Sequence, residues 1–128
     1  SYIFGYTAAQ DISDRVLQAA DGQWTRAKSF DTFTPLGPTV RTGVDWSGAR
    51  VRQYWNGQLK QDGAVADMVF PVEALVEFIS DAMTLEPGDV ILTGTPAGVG
   101  PIRPGDHLEV QIDGLAPLAN NVGMRGSA

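Results

Sequence analysis

Asp89-Val90-Ile91-Leu92-Thr93-Gly94-Thr95-Pro96-Ala97-Gly98-Val99-Gly100 begins as a strand and ends as a loop. The run up to Thr93 suits a pleated ladder, but three of the next seven residues are Gly and one is Pro, so regular pairing stops at Gly94. Gly lets backbone amides come close to a ligand, Pro96 fixes one dihedral, and the Thr93 and Thr95 hydroxyls supply neutral hydrogen bonds. Taken alone, the segment reads either as a bulged turn between strands, the commoner meaning of Gly and Pro, or as a loop that faces a substrate.

The whole chain sets bounds on that choice. At 128 residues it reads as one domain, long enough to bury roughly two thirds of its unfolded surface. A net charge of -6 with no cluster of Lys or Arg argues against a nucleic-acid surface, although an anionic metabolite can still be held by a metal or a few placed cations. Cys is absent, which excludes disulfides and thiolate metal sites. No apolar run approaches the ~20 residues that span a bilayer and no charged leader is visible, so a cytoplasmic protein without membrane contact is expected. The chain opens on the apolar run Tyr2-Ile3-Phe4-Gly5-Tyr6-Thr7 without an initiator Met, as a fragment or processed chain would.

Asp11-Ile12-Ser13-Asp14-Arg15-Val16-Leu17-Gln18 reads as a strand end passing into a short helix, capped by Asp11 or Ser13, with Asp14 in the first turn. A cap is the ordinary role for Asp11 and a metal ligand the alternative. From Ala19 to Thr42 periodicity is poor, and Gln23, Trp24, Thr25, Arg26 and Lys28 place donors beside an aromatic. Lys28 lies between Trp24 and Phe30, both expected to be buried; it is either a lysine tuned for chemistry or one that snorkels to solvent. Asn56-Gly57 between Val51–Trp55 and Gln58–Gln61 marks a hairpin with a type I′ turn. Trp46, Tyr54 and Trp55 are read as packing residues.

Pro71 to Met83 is the one long helical pattern, with Val72, Leu75, Val76, Ile79 and Met83 as its buried stripe and Glu73, Glu77 and Asp81 as a solvated row. Glu86-Pro87-Gly88-Asp89 and Arg103-Pro104-Gly105-Asp106 repeat one turn chemistry. After the second, Leu108, Val110 and Ile112 alternate with Glu109, Gln111 and Asp113 as in a half-buried strand. His107, the only histidine, has no ligand partner in sequence and reads as an exposed structural residue. A last strand is expected near Leu118–Val122, and residues 124–128 read as a frayed tail.

Several of these stretches, in order, resemble the fumarylacetoacetate hydrolase family: Gly5-Tyr6-Thr7, Asp11–Arg15 with Leu17-Gln18, Gln23–Asp31, Pro35–Pro38, Asn56-Gly57, Met83–Asp89, Gly94–Gly100 and Gly105-Asp106. Each is weak alone, and eight in order are hard to obtain by accident. The resemblance implies a mainly β (α+β) fold, a barrel-like roll of curled mixed sheets with one main helix and short helices. Residues 1–123 would be the C-terminal portion of its catalytic domain. The resemblance also implies Mg2+ or Mn2+ near the mouth, a small oxo-acid or diketo-acid substrate, and hydrolase, decarboxylase or isomerase chemistry through an enolate. That charge is stabilised by a divalent ion and a positioned ammonium.

By position, Asp11 then resembles a metal ligand, Lys28 the catalytic cation, Gln23 a substrate hydrogen-bond donor, and Thr95 with Gly94 the loop that holds the substrate carboxylate. Arg15 resembles a residue that orients the ligand carboxylate. The chain departs from the pattern at Gln10, where Asn is common, at Asp14, which replaces a small residue, and at Val16, which replaces an acidic one. The family's Glu-x-Glu ligands and its His/Glu lid lie upstream of the Gly-Tyr-Thr stretch, so one of three protein ligands is expected here. A homodimer or a complementing N-terminal segment is the expected partner. The competing expectation is a non-catalytic β module that serves assembly or binding.

Overall fold

The computed structural model describes residues 2–124; the tail expected at 124–128 lies outside them except for Met124. Helix α1 (Arg15–Asp21) and the single turn α2 (Thr25–Lys28) precede strands β1 (Arg50–Trp55) and β2 (Gln58–Ala64). Helix α3 (Val72–Ala82) follows, then β3 (His107–Ile112) and β4 (Leu118–Asn121). The strands form one sheet in the order β2-β1-β3-β4, every neighbouring pair antiparallel.

The β1–β2 hairpin turns at Asn56 and Gly57, whose φ values of 49° and 76° are the positive pair that a type I′ turn needs. Asn56 also anchors the start of β3. Its Nδ2 donates to Asp106 Oδ1 at 2.9 Å, its Oδ1 accepts from the His107 amide at 2.8 Å, and its own amide donates to His107 O at 2.8 Å. Both Pro-Gly-Asp turns close in one way: Asp89 Oδ2 accepts from the Glu86 amide at 2.8 Å, and Asp106 Oδ2 from the Arg103 amide at 2.7 Å. His107 Nδ1 lies 2.8 Å from Asn121 Oδ1, which ties β3 to β4 and gives this residue the structural place expected of it.

Strand β3 alternates as its sequence predicts. Leu108 and Val110 are buried, and Val110 joins Ala8 and Leu118 in the core, with Ile112 against them. Trp46 packs on Tyr6 with ring centroids 5.3 Å apart, as a packing aromatic should. Ahead of the sheet, residues 6–12 run antiparallel to residues 33–41 through single backbone bonds such as Tyr6 N to Arg41 O and Ile12 N to Phe33 O, both 2.9 Å.

Several expectations need correction. Tyr2–Thr7, whose apolar composition suits a strand, joins no ladder: Tyr6 makes an isolated bridge to Arg41, and Ala9 just beyond it makes one to Leu36. Asp89–Thr93 joins no strand ladder, because the sheet places none of its strands beside it. Asp14, not Asp11 or Ser13, caps α1: its Oδ1 accepts from the Val16 and Leu17 amides at 3.0 Å each, while its own amide is held by Ala27 O at 2.9 Å. Trp24 is 58% exposed. In α3, Val72, Leu75, Val76 and Ile79 are only half-buried and Met83 is exposed, since no described element covers that stripe completely. Glu73, Glu77 and Asp81 are exposed, as a solvated row should be.

Tyr2, Phe4, Val69 and Phe70 on the surface, with Phe78 on α3 at 77% exposure, leave much apolar area uncovered. Isolated residues 1–128 should therefore associate, and light scattering across a concentration series should give a mass above 13.7 kDa. A constant monomer mass would show that this surface is tolerated in water. A second prediction concerns acid. The Asn56 amide first, and the Arg103 amide next, hold the Asp106 carboxylate below its usual range, and Arg52 does the same for Asp113. A carboxyl depressed in the folded state contributes stability above its unfolded pKa of about 3.9, and this is lost as pH falls through its lowered folded value. Thermal melts of Asp106→Ala should thus lose less stability than wild type on acidification below about pH 4; parallel acid limbs would contradict this.

Candidate active site

Residues 7–13, Lys28 at the end of α2 and the loop after Thr93 line an open cavity of about 870 Å³ against the sheet. Asp11, Ser13, Arg15 and Lys28 line one wall, and Thr93–Pro96 with Gln61 and Trp55 the other.

The first wall is built by tying α1 to α2. Arg26 donates to both carboxylate oxygens of Asp21, at 2.7 and 2.6 Å; this forked bond holds Asp21 below the usual carboxylate range and closes the corner between the helices. The Asp14 amide bonds Ala27 O, and Ala27 is wholly buried, so the end of α2 lies along residues 11–14. Lys28, the last residue of α2, therefore reaches back 17 positions to Asp11 Oδ2 at 2.5 Å and to Ser13 Oγ at 3.0 Å. Its side chain is 27% exposed, so the ammonium is held by partners on the cavity wall and does not trail into water.

The second wall is pressed onto β2. The β1–β2 register slips between Gln53 and Tyr54, leaving Lys60 as an extra, bulged residue. At Gly98, with φ of 111°, an added Cβ would lie 2.0 Å from Lys60 O, so only Gly permits this approach. A Cβ at Gly63 would meet Pro96 Cγ at 2.8 Å, and one at Gly100 would meet Trp55 Cζ3 at 2.9 Å. Gln61, buried on the same face of β2 as Gly63, donates from Nε2 to Thr95 Oγ1 at 2.8 Å and to Pro96 O at 2.6 Å.

The structure thus brings Asp11, Lys28, Arg15, Thr95 and Gly94 to one cavity. Gln23 lies in the α1–α2 connection outside its lining, although Trp24 beside it stands on the wall. Arg15 donates to Gln18 Oε1 at 2.7 Å, and Asp11 is held instead by Lys28. Gln10 accepts from Asn120 Nδ2 at 3.0 Å, tying this segment to β4, while its own Nε2 is buried with no partner among the described residues. Sequence reasoning missed Gln61. Its signal is a polar residue two places before a Gly in a hairpin strand, where a second backbone approaches closely.

Arg15, Lys28 and Lys60 face a single carboxylate, Asp11, among the described lining residues, in a chain whose net charge is -6. The cavity therefore suits an anion. Among the described residues no three His, Asp or Glu side chains gather so as to hold a metal ion, so Asp11 fits as one oxygen donor of a larger set and does not form a site alone. No helix among the described residues is long and apolar enough to cross a membrane.

Comparison with known proteins agrees with this architecture. A 5-carboxymethyl-2-hydroxymuconate delta-isomerase from Mycobacterium smegmatis superposes with a TM-score of 0.94 at 47% identity, over 98% of this chain and 50% of that one. A 2-hydroxyhepta-2,4-diene-1,7-dioate isomerase from Mycobacterium marinum gives 0.94 at 50% identity, over 98% and 50%. The oxaloacetate tautomerase YisK of Bacillus subtilis is 39% identical over 132 residues, 95% of this chain and 44% of that protein. The chain spans about half the length of the curated relatives it matches. Residues 1–123 match the family described as fumarylacetoacetate (FAA) hydrolase, C-terminal, and with that match and these superpositions the chain belongs to the fumarylacetoacetate hydrolase family.

Proposed function

We propose that the chain is the C-terminal portion of the catalytic domain of a divalent-metal-dependent enzyme that forms an enolate from a small oxo acid or diketo acid. Hydrolysis, decarboxylation and isomerisation or tautomerisation all share that intermediate, and the relatives' names as isomerase and tautomerase support it. The observation that carries the reading is the meeting of the Lys28–Asp11 pair and the Thr95 loop across one cation-rich cavity.

In this reading Thr95 and Gly94 hold the substrate carboxylate, and the Lys28 ammonium hydrogen-bonds the oxo oxygen where enolate charge develops. Gln23 is assigned to the substrate by family position, and Arg15 to the support of the Asp11 wall. Asp11 would contribute one oxygen to Mg2+ or Mn2+, completed by carboxylates outside this chain; when bound, such an ion withdraws charge from an enolate. The single carboxylate in the cavity supports the expectation that residues 1–128 alone are inactive.

The test is turnover of oxaloacetate and of an acylpyruvate by the complete protein with Mg2+ or Mn2+. Lys28→Ala should lower kcat by a factor on the order of 100 or more. Asp11→Asn should weaken metal binding by roughly ten- to a hundredfold in calorimetry. Full activity in Lys28→Ala would remove the proposed role of the ammonium.

A further inference from the structure

The amide of Gln61 can be oriented from its partners alone. Pro96 O only accepts, so the amide atom 2.6 Å away must be the NH2 group. That same nitrogen lies 2.8 Å from Thr95 Oγ1 and has only hydrogens to offer, so the Thr95 hydroxyl must accept from it. A hydroxyl carries one hydrogen, and Thr95, an exposed residue in the cavity lining, donates it to no described residue.

We infer that Gln61 is a positioning residue that holds the Thr95 hydroxyl with its hydrogen free at the cavity, so that this end of the site favours an acceptor, a carboxylate. The inference rests on the oxo-acid reading above and deepens it. A threonine hydroxyl has one hydrogen and two lone pairs; accepting from the buried Gln61 amide engages one lone pair, leaves the hydrogen free and strengthens it as a donor. Gln61 is 9% exposed and its two N–H bonds go to two adjacent loop residues, so the loop position and the hydroxyl polarity are set together. The charged neighbours on β2 are Lys60 and Asp62; Asp62 is engaged by Arg50 and Arg52, and Asp11 and Lys28 pair on the far wall.

Gln61→Glu tests this in the complete protein. An ionised carboxyl at this place has no N–H, so the Thr95 hydrogen turns toward it and away from the substrate. KM for oxaloacetate should rise about tenfold at pH 8, with kcat changed less than about twofold, and should return toward wild type as the introduced carboxyl is protonated at lower pH. Thr95→Ser should keep KM within a few-fold, and Thr95→Val should raise it about tenfold. The double variant Gln61→Glu/Thr95→Val should fall well short of the product of the two single effects, its residual over Thr95→Val reporting the lost bond to Pro96 O. An unchanged KM at pH 8, or additive effects in the double variant, would overturn the inference.

A readout without substrate separates this from failure of the function itself. Ionised, the introduced carboxyl would face Pro96 O, so its folded pKa should be raised; the stability it gives is full at low pH and is lost as pH rises through that value. Thr95→Val removes the one donor to the ionised form and should push that loss to higher pH in thermal melts. A loss unmoved by Thr95→Val would refute the coupling even in a protein that turned over no oxo acid.

Discussion

The seating of the loop 94–100 on strand β2 is the constraint on which the rest depends. Gly98 lies where any Cβ would strike Lys60 O, and the Lys60 carbonyl is on the bulge. The bulge, the Gly and the Gln61 clamp are parts of one contact. Because β2 pairs with β1, and β1 with β3, that contact fixes the loop to the whole sheet. The cavity then has one wall whose polar groups are tied to the sheet.

The opposite wall has a different logic. It is a ribbon of single backbone bonds and two short helices, held by Arg26–Asp21, by the Asp14 amide on Ala27 O and by Gln10 on Asn120. These ties bring Lys28 to Asp11. The contact is an ion pair of partly exposed side chains, so water screens much of its energy and its contribution to stability is small, about 0 to 1 kcal/mol. Its value lies in position. An ammonium and a carboxylate are kept together at the edge of a cavity with three cations.

What could be read from the chain was what local chemistry dictates. Asn56-Gly57 admits one turn, Leu108 to Asp113 one strand pattern, and Pro71 with the stripe after it one helix; all three are present. Lys28, Asp11 and Thr95 were nameable because their stretches match a family in order, and the cavity brings them together. What could not be read depends on pairing. Asp89–Thr93 has the composition of a strand, yet a ladder needs a neighbour and composition does not supply one. Three acceptors, Asp11, Ser13 and Asp14, could cap α1; the Asp14 amide bonded to Ala27 O decides among them from 13 residues away. Gln61 was invisible because its role arises from a bulge that moves it onto the loop.

A crystal structure of the complete protein grown with Mn2+ and oxalate, a planar dianion shaped like the enolate of pyruvate, tests the central claim most directly. Oxalate is expected between the two walls, with a carboxylate oxygen roughly 3 Å from Thr95 Oγ1 and Lys28 turned from Asp11 toward the ligand. Oxalate bound outside the Asp11–Thr95 cavity, or inside it without a contact to Thr95, would contradict it.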